Sequence, residues 1–231
     1  MKVVFFSGAG MSAESGIGTF RDKGGLWENH RIEDVATPEA WKRNPDLVTE
    51  FYNLRRKKII ETEPNKAHFA IAQLENIIDV HVITQNIDDL HERAGSKKVL
   101  HLHGNIKYAK SSGPNQDKKY YLLKNWNLTK HDLCDEGYRL RPHVVWFGES
   151  VPAFDEAAEI IKNADIFIVI GTSLQVYPAA GLIQYANNAK TKILVDPNAN
   201  SINGIDDFKV YSNTATEGVL LAINEIKKNI E

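Results

Sequence analysis

Six short apolar runs punctuate the chain: Val3-Val4-Phe5-Phe6, Val80-His81-Val82-Ile83, Val99-Leu100-His101-Leu102, Val144-Val145-Trp146-Phe147, Ile166-Phe167-Ile168-Val169-Ile170 and Ile193-Leu194-Val195. They are nearly continuous rather than alternating, which is the pattern of strands covered on both faces, as in a parallel sheet. Amphipathic stretches lie between them. Thr37-Pro38 reads as an N-cap with proline in the first turn, Pro45 opens a helix to about residue 61, and Pro64 opens another with Ala67, Ala70, Ile71 and Leu74 at helical spacing. Further helices are expected over 152–162, 178–188 and 216–228. Alternating strands and helices predict an α/β chain: a doubly wound, mostly parallel, Rossmann-like sheet.

Two segments break that rhythm. Residues 26–63 carry helical signals without a strand, and residues 106–141 are polar, irregular and lysine-rich, with a turn at Ser111-Ser112-Gly113-Pro114-Asn115. Both are expected to build a smaller inserted lobe beside a core made of about 1–25, 64–105 and 142–231. The whole chain, 1–231, then forms one catalytic domain.

Composition narrows the reading mainly by exclusion. The 231 residues are 42% hydrophobic and 25% charged, which excludes wholesale disorder. With 28 Lys+Arg against 30 Asp+Glu the net charge is -2, so no nucleic-acid partner is expected. No run approaches the roughly 20 apolar residues of a membrane span, and no signal-peptide pattern opens the chain. A cytoplasmic, monomeric protein without membrane contact is expected. Cys134 is the sole cysteine, which rules out an intramolecular disulfide and a four-cysteine zinc site.

Candidate chemistry sits at the ends of the predicted strands, where open α/β sheets bind ligands. The first strand runs into Gly8-Ala9-Gly10-Met11-Ser12-Ala13, a G-x-G-x-x-A turn suited to a pyrophosphate. On its own such a turn serves as often as a tight turn alone. It is followed by a long glycine-punctuated loop holding Thr19-Phe20-Arg21 and Gly24-Gly25-Leu26-Trp27. Thr84-Gln85-Asn86-Ile87-Asp88 follows the second run, offering amide and carboxylate groups that could equally cap a helix. His103-Gly104 follows the third, where a neutral imidazole near a sugar hydroxyl is a competent general base. Gly171-Thr172-Ser173 and Asp196-Pro197-Asn198 follow the last two.

In order along the chain, these blocks together with Val145-Trp146-Phe147-Gly148-Glu149 and Gly171-Thr172-Ser173-Leu174 resemble the sirtuins, the NAD-dependent protein lysine deacylases. The resemblance spans residues 3 to about 220. It implies NAD as co-substrate, release of nicotinamide and O-acyl-ADP-ribose, and an acyl-lysine peptide added as a strand between the lobes. It implies that Gly8, Ala9, Gly10 and Ser12 hold the diphosphate, with Phe20 and Arg21 closing over the nicotinamide ribose and Ala13, Thr19 and Trp27 also binding the cofactor. Asn86 and Asp88 would line the nicotinamide pocket, with Gln85 near the ribose and Ile87 also among the cofactor-binding residues, and His103 would be the catalytic base. Gly171, Thr172, Ser173, Asn198 and the backbone at Ala215 would meet the adenosine half. Val145, Phe147, Gly148, Glu149 and Val176 would meet the peptide.

Within the predicted helix from Pro45, Tyr52 and Arg55 share a face at i, i+3. A phenol beside a guanidinium can bind a carboxylate, and the pair resembles that of the sirtuin class that removes succinyl, malonyl and glutaryl groups. The competing reading makes Arg55-Arg56-Lys57-Lys58 a solvated basic face with Tyr52 half-buried. Most sirtuins also carry two cysteine pairs that bind a structural zinc. Here Ser111, Pro114, Leu133, Cys134 and Glu136 stand in that interval, and scattered Asp117, His131, Asp132 and Asp135 do not make paired ligands. No zinc is expected, and Tyr108, Tyr120, Tyr121, Leu122, Leu123 and Trp126 are expected to pack the lobe instead, with Cys134 a bystander. Alternatives to deacylation are mono-ADP-ribosyl transfer to protein and a non-catalytic NAD or ADP-ribose sensor.

Overall fold

Apolar runs with two faces to hide need cover on both sides, and a computed structural model, which describes residues 1–19 and 30–228, supplies it. The elements run β1 (Lys2–Ser7), α1 (Gly10–Ala13), α2 (Ile32–Val35), α3 (Pro38–Arg43), α4 (Pro45–Glu61), α5 (Lys66–Leu74), β2 (Asp79–Thr84), α6 (Leu90–Arg93), β3 (Val99–His101), β4 (Gly104–Ser111), β5 (Tyr120–Leu122), β6 (Leu140–Val144), α7 (Phe154–Lys162), β7 (Ile166–Ile170), β8 (Thr191–Val195), β9 (Lys209–Tyr211) and α8 (Ala215–Lys228). Six strands form a sheet in the order β3-β2-β1-β7-β8-β9, every pair parallel. The two-residue period of each strand splits its side chains between two cores. Val3, Phe5, Ile168 and Ile193 pack with Ile71 of α5 and Val219 and Ile223 of α8. Val4, Phe6, Phe167 and Leu194 pack with Ala157 and Ile161 of α7 and with Leu182. Each fully buried aliphatic or aromatic side chain contributes about 1.5–3 kcal/mol. Among the described residues no helix is long and apolar enough to cross a membrane.

The doubly wound expectation holds, with local corrections. The run Val144–Phe147 is not a strand of the parallel sheet: β6 ends at Val144 and pairs antiparallel with β4. Beyond it the backbone turns to other partners, Val145 N–H donating to His103 O (2.9 Å) and Phe147 N–H to Ala36 O (3.0 Å). The sixth parallel strand is β9, whose three residues are too short and too exposed to register as an apolar run. Pro64 does not start α5: Asn65 is its N-cap, accepting from Ala67 N–H (2.9 Å), while His68 Nδ1 accepts the Asn65 N–H in return (3.3 Å). The segment read as a helix over 178–188 is a 3₁₀ segment, Ala179–Asn188, broken at Ala186.

The polar stretch 106–141 is more ordered than its composition suggests. β5, β4 and β6 make a three-stranded antiparallel sheet over a small core of Ala109, Leu128, Cys134 and Leu140, with Tyr121 and Leu123 against it. Cys134 is therefore no bystander. Its sulfur lies inside this core and accepts a hydrogen bond from Ser111 Oγ (3.3 Å). Tyr120, Leu122 and Trp126 instead lie 41%, 60% and 42% exposed. For Tyr120 and Leu122 the expected packing fails because β5 sits at the sheet edge, and Trp126 lies beyond that strand. Among the described residues no cluster of three or more His, Cys, Asp or Glu could hold a metal ion. The carboxylates that would have to serve are engaged otherwise: Asp117 with Lys110 (3.0 Å), Asp135 with Lys119 (2.6 Å), and Asp132 as acceptor from Thr129 N–H and Oγ1 (both 2.7 Å). A structural zinc does not fit this donor set.

α4 holds the small sheet in place. Arg56 is 1% exposed, so the run Arg55–Lys58 is not a solvated face throughout. Its Nε donates to Ile106 O (2.6 Å) and its Nη1 to Trp126 O and Asn53 Oδ1 (both 2.8 Å). Asn53 makes a two-way bridge to the Leu128 backbone, donating to O and accepting from N–H at 2.8 Å each. Arg139 returns the contact to α4 through Asp46 (2.8 Å) and Thr49 Oγ1 (3.0 Å).

Candidate active site

The strand order reverses between β1 and β7, and a crevice opens at their carboxyl ends. There the Gly8–Gly10 turn rests directly on Gly171. A Cβ on Gly10 would lie 2.6 Å from Gly171 Cα, and one on Gly171, whose φ is +57°, 2.5 Å from Met11 N. Only glycine allows this approach. The turn borders a cleft of about 610 Å³ that continues between the sheet and the segments after β6.

All the described candidates line this one cleft: Gly8, Ala9, Gly10, Ser12, Ala13 and Thr19; Gln85, Asn86, Ile87, Asp88 and His103; Gly171, Thr172, Ser173, Val176, Asn198 and Ala215; and Tyr52, Arg55, Val145, Phe147, Gly148 and Glu149. Phe20, Arg21 and Trp27 lie outside the described residues. The convergence comes from topology, since residues near 10, 86, 103, 172 and 198 all follow strands of one sheet.

Buried polar groups fix the geometry behind the β1 and β2 ends. Ser12 Oγ donates to Asp88 Oδ2 (3.0 Å) and accepts from Asn86 Nδ2 (3.1 Å), while Asp88 Oδ1 accepts the Leu90 N–H (3.2 Å). Burial raises the Asp88 carboxyl above the usual carboxylate range, against the opposing pull of those hydrogen bonds. Gln85 Nε2 donates to Thr172 Oγ1 (3.0 Å), tying the β2 end to the β7 end.

His103 Nδ1 lies 3.0 Å from Gln85 O, and a carbonyl can only accept, so Nδ1 carries the proton. Nε2 then holds the lone pair. Burial lowers the His103 pKa, and the Gln85 hydrogen bond only partly offsets it, so the ring is neutral at pH 7. Two residues earlier His101 behaves oppositely. Burial disfavours its charge, but Glu92 at 2.8 Å from Nε2 and Asn86 O at 2.9 Å from Nδ1 raise its pKa overall.

At the other end, Tyr52 is fully buried and Arg55 is 7% exposed. Trp146 Nε1 donates to the Tyr52 hydroxyl (3.1 Å). Glu149, expected to meet a peptide, has its carboxylate engaged with β6 and its own loop: it pairs with Arg141 and accepts the Trp146 N–H, each at 2.8 Å. Trp146 stands inside a recognisable motif without a role that its sequence assigns, and Glu14 has no sequence signal at all. Glu14 accepts from Thr216 N–H (2.8 Å), Thr216 Oγ1 (2.7 Å) and Thr214 Oγ1 (3.0 Å), capping α8 beside Ala215. A contact spanning some two hundred residues leaves no local signal.

Comparison with known proteins follows the same outline. The model of the Sir2 family matches residues 8–178. The chain is 51% identical over 199 residues to an NAD-dependent protein deacylase of Helicobacter pylori (strain J99), covering 85% of this chain and 83% of that protein. It is 47% identical over 220 residues to an NAD-dependent protein deacylase of Bacteroides thetaiotaomicron, with 94% of each chain covered. Among solved structures it is similar to a Sir2 homologue–NAD complex (TM-score 0.84, 37% identity, covering 100% of this chain and 91% of that one). It is also similar to a Sir2–p53 peptide–NAD+ complex (TM-score 0.78, 30% identity, covering 97% and 93%).

Proposed function

The chain belongs to the Sir2 family, and from that premise we propose that it is an NAD-dependent protein lysine deacylase that accepts succinyl and malonyl as well as acetyl groups. The observation that carries this reading is the single cleft that holds a fixed neutral imidazole, His103, at one wall and a phenol–guanidinium pair, Tyr52 and Arg55, at another. The cleft fits a dinucleotide. Its volume is in the range of cofactor sites, and at Gly8, Gly10 and Gly171 no side chain stands between the strand ends and a phosphate. When bound, NAD supplies the ribose carbon that receives the acyl group as nicotinamide leaves.

The protein's own groups orient and move protons. The Gly8–Ser12 turn receives the diphosphate, and the Ser12–Asn86–Asp88 network holds a carboxamide-sized pocket in one arrangement. His103 Nε2 serves as general base toward a hydroxyl at the cleft. Thr172, Ser173, Asn198 and Ala215 line the adenosine end. Val145, Phe147, Gly148 and Val176 border the path of an acyl-lysine segment, and Tyr52 and Arg55 meet a carboxylate at the far end of its acyl chain. The reading includes a monomer acting in the cytoplasm on protein segments.

The test is incubation with NAD and parallel acetyl-, malonyl- and succinyl-lysine peptides, following free nicotinamide and O-acyl-ADP-ribose. Release with acetyl- and succinyl-lysine is expected. No nicotinamide from any peptide would overturn deacylation, and ADP-ribose found on protein would favour the transferase alternative. Arg55→Met is expected to lower succinyl turnover at least tenfold relative to acetyl, roughly the cost of removing a charged hydrogen-bond partner. Undiminished succinyl turnover in that variant would sink the carboxylate clamp.

A further inference from the structure

We propose that His101 is a positioning residue: backed by Glu92, it holds the Asn86 carbonyl and so sets the Asn86 carboxamide for the nicotinamide group. This role rests on the reading above, in which Asn86 borders the nicotinamide pocket, and it belongs to a residue outside the lining of the cleft. His101 Nδ1 lies 2.9 Å from Asn86 O, and a carbonyl only accepts, so Nδ1 carries a proton. Nε2 lies 2.8 Å from Glu92 Oε1, and an ionised carboxylate again only accepts. The ring is thus an imidazolium held between two acceptors. Burial disfavours that charge, but Glu92 outweighs it and the pKa is raised. Asn105 Nδ2 stands farther from Nε2 (3.2 Å), and a lone pair turned to meet it would also face the Glu92 carboxylate.

The contact belongs to a row. Three consecutive carbonyls after β2 accept from the segment at and beyond the end of β3: Gln85 O from His103 Nδ1 (3.0 Å), Asn86 O from His101 Nδ1 (2.9 Å) and Ile87 O from the Ile106 N–H (2.8 Å). Residues 85–89 lie between β2 and α6, in neither strand nor helix, so these bonds take the place of a ladder in fixing the peptide planes. Asn86 is gripped at two points, its carbonyl by His101 and its Nδ2 by Ser12 Oγ (3.1 Å). A side chain follows the peptide planes that flank it, so a turn of the Asn86 carbonyl swings the carboxamide as well. His101 takes its own place from β3, where it pairs with Thr84 in the parallel register, and Glu92 takes its place from α6. Two histidines two residues apart thus steady adjacent carbonyls, one as the base and one as a support.

Two substitutions separate the two bonds. A glutamine amide nitrogen reaches the place of Nε2, and an asparagine amide nitrogen that of Nδ1. His101→Gln therefore keeps a partner for Glu92 and loses the donor to Asn86 O, and His101→Asn does the reverse. The measured quantity is the Kd of nicotinamide for protein saturated with ADP-ribose, by NMR titration, beside the Kd of ADP-ribose and the KM of an acetyl-lysine peptide. In His101→Gln the nicotinamide Kd is expected to rise about 3- to 10-fold, the effect of one hydrogen bond, with the other two constants unchanged. In His101→Asn all three are expected to match wild type. A wild-type nicotinamide Kd in His101→Gln overturns the proposal. So does an equal rise in both variants, or a matching rise in the ADP-ribose Kd, which a general loss of order would give. Asn86→Ala separates this role from the reading beneath it. If wild type binds no nicotinamide, or Asn86→Ala leaves its Kd unchanged, the pocket reading fails and this role with it. If Asn86→Ala raises that Kd while His101→Gln does not, only the role of His101 fails. Should His101→Gln not fold, Glu92→Leu takes its place, since the Glu92 side chain is 38% exposed. Its expected effect is a rise of about 2- to 3-fold in the nicotinamide Kd alone, that of a partly exposed ion pair, and an unchanged Kd overturns the proposal.

Discussion

His103 shows how much one hydrogen bond decides. The Gln85 carbonyl fixes the proton on Nδ1, and burial keeps the ring neutral below the ordinary histidine range. A base must be deprotonated to act, so a lowered pKa extends activity toward acid. The acid limb of kcat/KM for an acetyl-lysine peptide is therefore expected below about 6.5, the usual histidine value. A limb at or above that value would contradict the assignment. His103→Gln, which cannot take up a proton, is expected to lower kcat by about 10²–10⁴-fold, and a smaller loss would remove His103 from the chemistry. The motif made this residue visible in the sequence. The contrast with His101, only two positions away, was not visible, because it depends on Glu92 and the Asn86 carbonyl arriving from other elements.

Helix α4 does two jobs on different faces. Tyr52 and Arg55 line the cleft, while Asn53 and Arg56 fasten the small sheet. Replacing Arg56 with Met keeps the stem but leaves the carbonyls of Ile106 and Trp126 without this donor in a buried setting. The expected cost is about 2–5 kcal/mol, read as a lower urea midpoint and as faster amide exchange in β4 and β6 ahead of β1. Exchange that accelerates equally everywhere, or a midpoint within error of wild type, would show that α4 does not clamp this sheet. The start of α4 was legible because Pro45 is a local signal, and the structure adds the Asn44 cap before it. Arg56 was not, since four consecutive basic residues look the same in sequence whether solvated or buried. β4 escaped notice for a related reason. Its buried residues include the polar Lys110 and Ser111, one on each face, satisfied by Asp117 and Cys134, and no apolar period marks such a strand.

Across the whole molecule, the doubly wound order brings distant strand ends to one crevice and also buries a polar seam behind it. His91 Nε2 lies 3.1 Å from Ser7 Oγ, whose own proton goes to Thr84 Oγ1 (2.9 Å), so His91 donates from Nε2. His68 packs edge-on against it at 4.8 Å between ring centroids, and Asn65, its capping partner, donates from Nδ2 to Met11 O (2.8 Å) in α1. Neither His68 Nε2 nor His91 Nδ1 has a hydrogen-bond partner. Burial therefore drives the His68 pKa down to about 4 and that of His91 well below the ordinary value. The unfolded chain takes up protons at these sites near pH 6.5, while the folded chain does so only below the lowered values. Their contribution to stability is thus full above pH 6.5 and is lost as pH falls toward 4. For His68 alone the difference is about 3 kcal/mol across that window. His143, lowered to about 4 by burial, acts in the same direction, so the informative quantity is the difference between two chains. Urea unfolding at pH 7.5, 6.5, 5.5 and 4.5 is expected to show a steeper acid loss in wild type than in His68→Gln, which cannot bind the extra proton when unfolded. Parallel curves for the two proteins would mean that the seam tolerates charge, and that the floor of the nucleotide cleft does not depend on keeping it neutral.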